Sequence, residues 1–128
     1  MVVLYNRVPK TGSTSFMKIV YDLTISNEFN TFYINVSASN RVMHLADQTS
    51  FVRNVTAWLK ARPAFYHGHL PFLNFAKFGS SLRPVYINII RDPLDRMVSF
   101  YYFMRYGDNF RPHLKRRRMG DKTVSAEI

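Results

Sequence analysis

Residues 2–15 predict a strand, a short loop and a helix in immediate succession. The segment Val2–Tyr5 is apolar and largely β-branched, as a buried parallel strand is. The loop contains Lys10 and Gly12, and three hydroxyl residues, Ser13–Ser15, begin the helix. A helix start carries unpaired N–H groups and a partial positive charge, and the hydroxyls could cap it or bond to phosphate oxygens. The succession therefore predicts an α/β fold with an anion-binding loop, the alternative being a capped turn with an incidental lysine.

The order of residues in this loop argues against an ordinary ATPase, GTPase or kinase-like enzyme. In the phosphate-binding loop of those proteins, G-x-x-x-x-G-K-[ST], the lysine follows the second glycine. Here Lys10 precedes Gly12, and no strand is followed by the acidic residue that such enzymes use to hold a metal ion.

Alternating apolar strands and amphipathic helices follow the loop. The first helix is predicted to run from about Ser13 to Thr24 or Ser26 and the second from Asp47 to Ala61, before Pro63. Their apolar faces comprise Phe16, Ile19, Val20 and Leu23 in the first helix and Phe51, Val55, Trp58 and Leu59 in the second. Strands are expected at 31–36, from residue 64 and at 85–90, the last of central type, and a third helix at 93–105 with Asp92 as its N-cap.

This alternation predicts a three-layer fold with a mainly parallel sheet and helices on both faces. Ligands bind such sheets at the carboxyl ends of the strands. The loop around Lys10, the pair His67 and His69, and Arg91 all follow predicted strands. We therefore expect them to gather at one edge of the sheet.

Composition narrows the class of ligand. The 128 residues carry 18 Lys and Arg against 8 Asp and Glu, a formal net charge of +10, which favours a polyanionic partner.

The sequence has no cysteine, so disulfides and cysteine metal sites are excluded within it. His67 and His69 lack the further ligands that a metal needs, which favours a proton-transfer role for one of them and leaves a structural role open for the other.

Five segments resemble the glycosaminoglycan uronyl 2-O-sulfotransferases and together cover nearly the whole chain. They are Y-N-R-V-P-K-T-G-S-T-S-F, F-Y-H-G-H, F-L-N-F-A-K-F-G, V-Y-I-N-I-I-R-D-P-L-D-R-M-V-S and the tail from Y-G-D-N-F-R-P to G-D-K. The branch of the family that acts on heparan sulfate fits better than the chondroitin and dermatan branch at K-T-G-S-T-S and Y-H-G-H.

The resemblance implies a P-loop-like sulfotransferase fold and an enzyme that uses 3′-phosphoadenosine 5′-phosphosulfate (PAPS) without a metal. The sulfuryl group would pass to the 2-hydroxyl of a uronic acid, preferably iduronic acid, in heparan sulfate. Lys10 would contact the bridging oxygen, and His69 would be the general base with His67 assisting. Donor contacts would be Lys10, Thr11, Gly12, Ser13, Thr14, Ser15, Arg91 and Ser99, and acceptor contacts Arg7, Tyr21, Arg111 and Arg116.

The resemblance also implies a setting. The chain would be the N-terminal part of one catalytic domain, with residues 108–128 as a basic substrate-binding or connecting segment. Its parent would be a membrane-anchored homotrimer with a lumenal catalytic domain in the Golgi, glycosylated at the sequons that begin at Asn35 and Asn54, and no nucleic acid would be a partner. Two alternatives stay open: a non-catalytic module that binds heparin-like polyanions, and a chondroitin or dermatan 2-O-sulfotransferase.

Overall fold

The structure, a computed structural model, describes residues 1–35 and 43–107 and divides into two compact units, Met1–Ile90 and the chain from Arg91 onward. Within the described residues the first unit contains β1 (Val2–Asn6), α1 (Ser13–Asn27), β2 (Asn30–Tyr33), α2 (Leu45–Ala57), β3 (Ala64–Gly68) and β4 (Val85–Asn88), with short 3-10 turns at Leu59–Ala61 and Phe75–Phe78. The second unit contains α3 (Pro93–Tyr106).

The four strands form one parallel sheet in the order β2-β3-β1-β4. The parallel α/β fold predicted from the sequence is therefore confirmed. The central position predicted for β4 is wrong for the part of the chain that the structure describes, where β4 lies at the sheet edge with Val85 53% exposed. An apolar run indicates a strand that suits burial, but it does not specify which strands flank it.

Helices cover both faces of the sheet. On one face, Met17 and Val20 of α1 pack with Tyr5 of β1 and Phe65 of β3. On the other face, α2 and the turn at Phe75–Phe78 cover the apolar side chains of the same two strands. The two central strands, β1 and β3, are thus buried on both sides. The apolar clusters on the two faces hold these strands, and with them their carboxyl ends, in place.

The buried faces of the helices agree only in part with those predicted. In α1, Val20 is buried as predicted, but Ile19 is 57% and Leu23 47% exposed, because Met17 faces the sheet in their place. The helix α2 ends at Ala57, and the chain continues through a 3-10 turn in which Leu59 is exposed. Several apolar residues of these helices satisfy a 3.6-residue period, and contact with the sheet decides which of them is covered.

The start of α3 follows the prediction. Asp92 is the N-cap, and its Oδ1 accepts hydrogen bonds from the backbone N–H groups of Leu94 (3.0 Å) and Asp95 (3.2 Å). Pro93 occupies the first turn, and Gly107, with φ 80, follows the last helical residue.

No helix within residues 1–35 and 43–107 is both long and apolar enough to cross a membrane.

Candidate active site

The loop between β1 and α1 has an unusual backbone at two positions. Lys10 and Gly12 both have left-handed torsion angles, with φ 65 and φ 81. Glycine adopts this conformation readily, whereas it costs a residue such as lysine about 1–2 kcal/mol. Left-handed residues alternate with others where successive backbone N–H groups form a concave anion site. The positive φ angles at Lys10 and Gly12 are compatible with such a site, and anion binding by this loop stays a prediction.

The start of α1 adds to this site. Gly12 is its N-cap and no side chain caps the helix, so the capping role considered for the hydroxyl residues is wrong. The first helical hydrogen bond runs from Phe16 N–H to the Gly12 carbonyl (3.1 Å). Ser13 is buried, whereas Thr14 and Ser15 are exposed. The first turn contains no acidic residue, so the positive end of the helix dipole is not offset there.

Thr11 stabilises the loop itself. It is 8% exposed, and its hydroxyl donates a hydrogen bond to the Val8 carbonyl at 2.9 Å. Beneath the loop, Tyr5 is fully buried. Burial raises the pKa of the Tyr5 hydroxyl, and Arg7 and Ser13 offset part of this rise. The loop is therefore packed against the buried core and is not solvated from below.

Arg7 makes three hydrogen bonds, one to the last residue of β3, one with His69 just beyond that strand and one to the start of α1. Its backbone N–H donates to the Gly68 carbonyl at 2.8 Å, which extends the β1–β3 pairing by one residue. Its carbonyl accepts a hydrogen bond from His69 Nδ1 at 2.8 Å. Its guanidinium Nη2 lies 3.5 Å from Ser13 Oγ at the start of α1. Arg7 therefore brings the loop, the helix start and the second histidine together.

The hydrogen bond to Arg7 determines the tautomer of His69. A carbonyl oxygen can only accept, so Nδ1 of His69 carries the proton. In the neutral ring Nε2 then has the lone pair that a general base needs. The His69 side chain is exposed at this edge of the sheet, where a substrate can reach it.

The first histidine has the opposite surroundings. His67 is 2% exposed, and its Nε2 lies 3.1 Å from the hydroxyl of Tyr21 on α1. Burial lowers the pKa of His67 to about 4, and the nearby Arg7 charge adds to the effect. The structure thus brings together Tyr21 and His67, for which separate roles are predicted from the resemblance.

Gly68 separates the two histidines, and its importance was not recognised from the sequence. A Cβ at this position would collide with the backbone carbonyl oxygen of Ile34, just beyond β2. The sequence did contain the signal, because a glycine within a strand pattern often marks a close approach of backbones. Gly68 therefore allows β2 to come close to the segment that presents His67 and His69.

The remaining site residues predicted from the sequence are Arg91, Ser99, Arg111, Arg116, Asn35 and Asn54. Arg91 and Ser99 belong to the second unit, and their role in binding a 3′-phosphate stays a prediction. Arg111 and Arg116 lie outside the described residues. The side chains of Asn35 and Asn54 are exposed, as a glycosylation acceptor must be. Residues 1–35 and 43–107 contain no group of His, Asp and Glu side chains arranged to hold a metal ion.

The chain is similar to a known protein family over nearly its whole length. The model of the family described as "Sulfotransferase family" matches residues 1–125. The chain belongs to this sulfotransferase family. Membership identifies the loop at Lys10 and the α/β sheet as parts of a sulfotransferase fold.

Individual relatives narrow this assignment. The chain is 56% identical over 127 residues to a human protein named heparan sulfate 2-O-sulfotransferase 1, and likewise 56% identical to the chicken protein of that name. It is 57% identical over 127 residues to a Drosophila melanogaster protein named heparin sulfate O-sulfotransferase. Each match covers 99% of this chain but 36% of the relative. The chain thus spans about a third of the length of these curated relatives.

Proposed function

We propose that the protein transfers a sulfuryl group from PAPS to the 2-hydroxyl of a uronic acid in heparan sulfate. The observation that carries the proposal is the hydrogen bond from His69 Nδ1 to the Arg7 carbonyl (2.8 Å), which leaves Nε2 as proton acceptor next to the anion-binding loop. Sulfuryl transfer to a hydroxyl requires both parts: a charged loop for the leaving group and a base for the hydroxyl proton.

The residues present fit the phosphosulfate end of PAPS. Left-handed backbone at Lys10 and Gly12, together with the uncapped start of α1, offers N–H groups and positive charge to an anion. Bound PAPS would supply the sulfuryl group. The residues Thr11–Ser15 would hold its 5′-phosphosulfate, and Arg91 and Ser99 would hold the 3′-phosphate.

Two residues would carry the charge and proton changes of the reaction. The Lys10 ammonium group would stabilise the negative charge that develops on the oxygen bridging phosphorus and sulfur. His69 Nε2 would accept the proton of the attacking hydroxyl group. With both groups near one loop, the reactants would be held close together in the required orientation. Such positioning supplies most of the catalysis in transfers of this kind.

The acceptor is proposed to be a sulfated, carboxylated chain, with iduronic acid preferred at the site of transfer. The net charge of +10 suits such a polyanion, and Arg7, Tyr21, Arg111 and Arg116 would contact it. We further propose that the parent protein is a membrane-anchored Golgi enzyme, a homotrimer, with a lumenal catalytic domain glycosylated at Asn35 and Asn54. The names of the relatives support the heparan sulfate assignment.

A first experiment tests donor binding. The melting temperature is measured with 3′-phosphoadenosine 5′-phosphate and, separately, with ATP, because a ligand of the native state stabilises it by about 2.7 kcal/mol at 100 times its Kd. We expect a rise with the 3′-phosphorylated nucleotide that is lost in Lys10→Ala and Arg91→Ala. An equal rise with ATP would indicate a general nucleotide enzyme instead.

A second experiment tests transfer to heparan sulfate, with chondroitin and dermatan as competing acceptors. The matched variant is His69→Asn, since its side-chain N–H can still donate to the Arg7 carbonyl although the base is gone. We expect His69→Asn to keep nucleotide binding and lose transfer. Heparan binding without nucleotide binding or transfer would favour the non-catalytic polyanion-binding module, and preferred transfer to dermatan would favour the other branch of the family.

A further inference from the structure

His67 lies in a closed cage of aromatic rings. The ring centroid of Tyr33, on β2, is 5.3 Å away, that of Tyr21, on α1, is 5.9 Å away, and that of Phe65, on β3, is 6.3 Å away. On β1, Tyr5 is its partner in the strand register. With 2% of its surface exposed, His67 cannot exchange a proton directly with a substrate in solvent.

The hydrogen bonds of His67 favour an uncharged ring. Nε2 is paired with the Tyr21 hydroxyl, while Nδ1 is buried and has no hydrogen-bond partner among the described residues. A second proton would bury a positive charge and leave an N–H group without an acceptor, which costs more than leaving the ring neutral. The Arg7 guanidinium acts in the same direction and contributes to the low pKa of about 4.

Tyr21 is partly exposed, unlike the buried His67 ring to which its hydroxyl is hydrogen-bonded. It is 48% exposed, so part of its ring faces solvent while its hydroxyl is bonded to the buried imidazole. It extends from α1, the helix whose first turn belongs to the anion-binding loop, and reaches the end of β3, the strand that leads to His69. An exposed aromatic ring fixed at its hydroxyl end is a preorganised contact surface for a sugar.

We propose that His67 is a positioning residue: its imidazole holds the Tyr21 hydroxyl at the carboxyl end of β3, and Tyr21 orients the acceptor sugar toward His69. His67 transfers no proton itself. This division of labour differs from the shared proton role that the resemblance implies for the two histidines. It rests on the proposed function only in the identity of the acceptor, because the His67–Tyr21 pair is a property of the fold.

The direct test is an NMR pH titration of the histidine rings in the unmodified protein, with the urea-denatured protein as reference. A denatured histidine titrates near its ordinary pKa of about 6.5. We expect the His67 ring resonances to stay those of a neutral imidazole down to pH values well below that, and to shift in Tyr21→Phe. This readout requires no transfer activity. A His67 ring that titrates with the denatured midpoint, or that is unaffected by Tyr21→Phe, would overturn the proposal even if the protein is an active sulfotransferase.

A kinetic test uses three variants and the heparan transfer assay. His67→Gln can place an amide near the former Nε2 and keep a hydrogen bond to Tyr21, whereas His67→Phe cannot, and Tyr21→Phe removes the hydroxyl. We expect His67→Phe and Tyr21→Phe to raise KM for the acceptor by about tenfold, the scale of one hydrogen bond, with His67→Gln closer to the unmodified protein. In all three variants, the pH profile of kcat should match that of the unmodified protein. A changed acid limb in His67→Gln would mean that His67 carries the proton, which contradicts the proposal.

Discussion

Replacing Gly68 with alanine should separate β2 from the end of β3. The added Cβ would meet the Ile34 carbonyl oxygen, and backbone cannot move aside by rotating a side chain. Two hydrogen bonds adjoin the collision: Ile34 N–H to the His67 carbonyl and Arg7 N–H to the Gly68 carbonyl, each 2.8 Å long. Each contributes about 0.5–1.5 kcal/mol, so losing both costs about 1–3 kcal/mol. The unfolded chain of Gly68→Ala has less conformational entropy, which offsets about 0.4–1 kcal/mol, so the midpoints of the two ranges leave a net loss of about 1.3 kcal/mol.

The assay is urea unfolding combined with amide hydrogen exchange. Gly68→Ala should lower the midpoint with an unchanged slope and should expose the amides of Ile34 and Arg7 to exchange. Gly79→Ala is the matched control, because a Cβ there meets nothing within 4 Å and only its φ of 73 is unfavourable. The control should lose some stability and keep both amides protected. Protected amides in Gly68→Ala, with an unchanged midpoint, would refute the reasoning.

Three further predictions concern the loop, α3 and acid stability. Because Lys10 has φ 65, Lys10→Gly should be more stable than Lys10→Ala by about 1 kcal/mol in thermal unfolding, although both should lose donor binding. Asp92→Ala should cost α3 about 1 kcal/mol and speed amide exchange at Leu94 and Asp95, with Asp92→Asn largely retaining the cap. The pKa of His67 lies below its unfolded value, so its contribution to stability is complete above pH 6.5 and is lost as pH falls toward about 4. Urea unfolding across that range should show this loss, and His67→Gln should reduce it.

The sequence was sufficient for the parts of the fold that depend on local pattern. The strand, loop and helix at residues 2–15 and the Asp92 cap of α3 follow from apolar runs, helix-start chemistry and the fixed φ of Pro93. The neighbouring positions of the Lys10 loop and His69 follow from a general rule, since adjacent parallel strands end at one edge of the sheet.

Other features depend on contacts that no local pattern encodes. Ile19 and Leu23 lie at helical spacing with Val20, yet only the placement of α1 on the sheet shows that Met17 is covered in their place. The partner of His69 is a backbone carbonyl 62 residues earlier, and a backbone group carries no sequence signature. His67 lies within β3, whereas His69 lies just beyond Gly68, the last residue of that strand. The end of the strand therefore gives the two histidines different surroundings.

The side chain and the main chain of Arg7 have separable roles. Arg7→Ala removes the contact with Ser13 and any contact of the guanidinium with an acceptor chain, but it leaves the backbone bonds to Gly68 and His69 in place. Loss of activity in Arg7→Ala would therefore report on charge, whereas the orientation of His69 depends on how β1 and β3 are paired. Gly68→Ala instead acts on the main chain beside that pairing, because its Cβ would meet the Ile34 carbonyl oxygen while the Gly68 carbonyl accepts from Arg7 N–H. The two substitutions together distinguish a contact of the Arg7 side chain with the acceptor from a main-chain role in orienting His69, the proposed base.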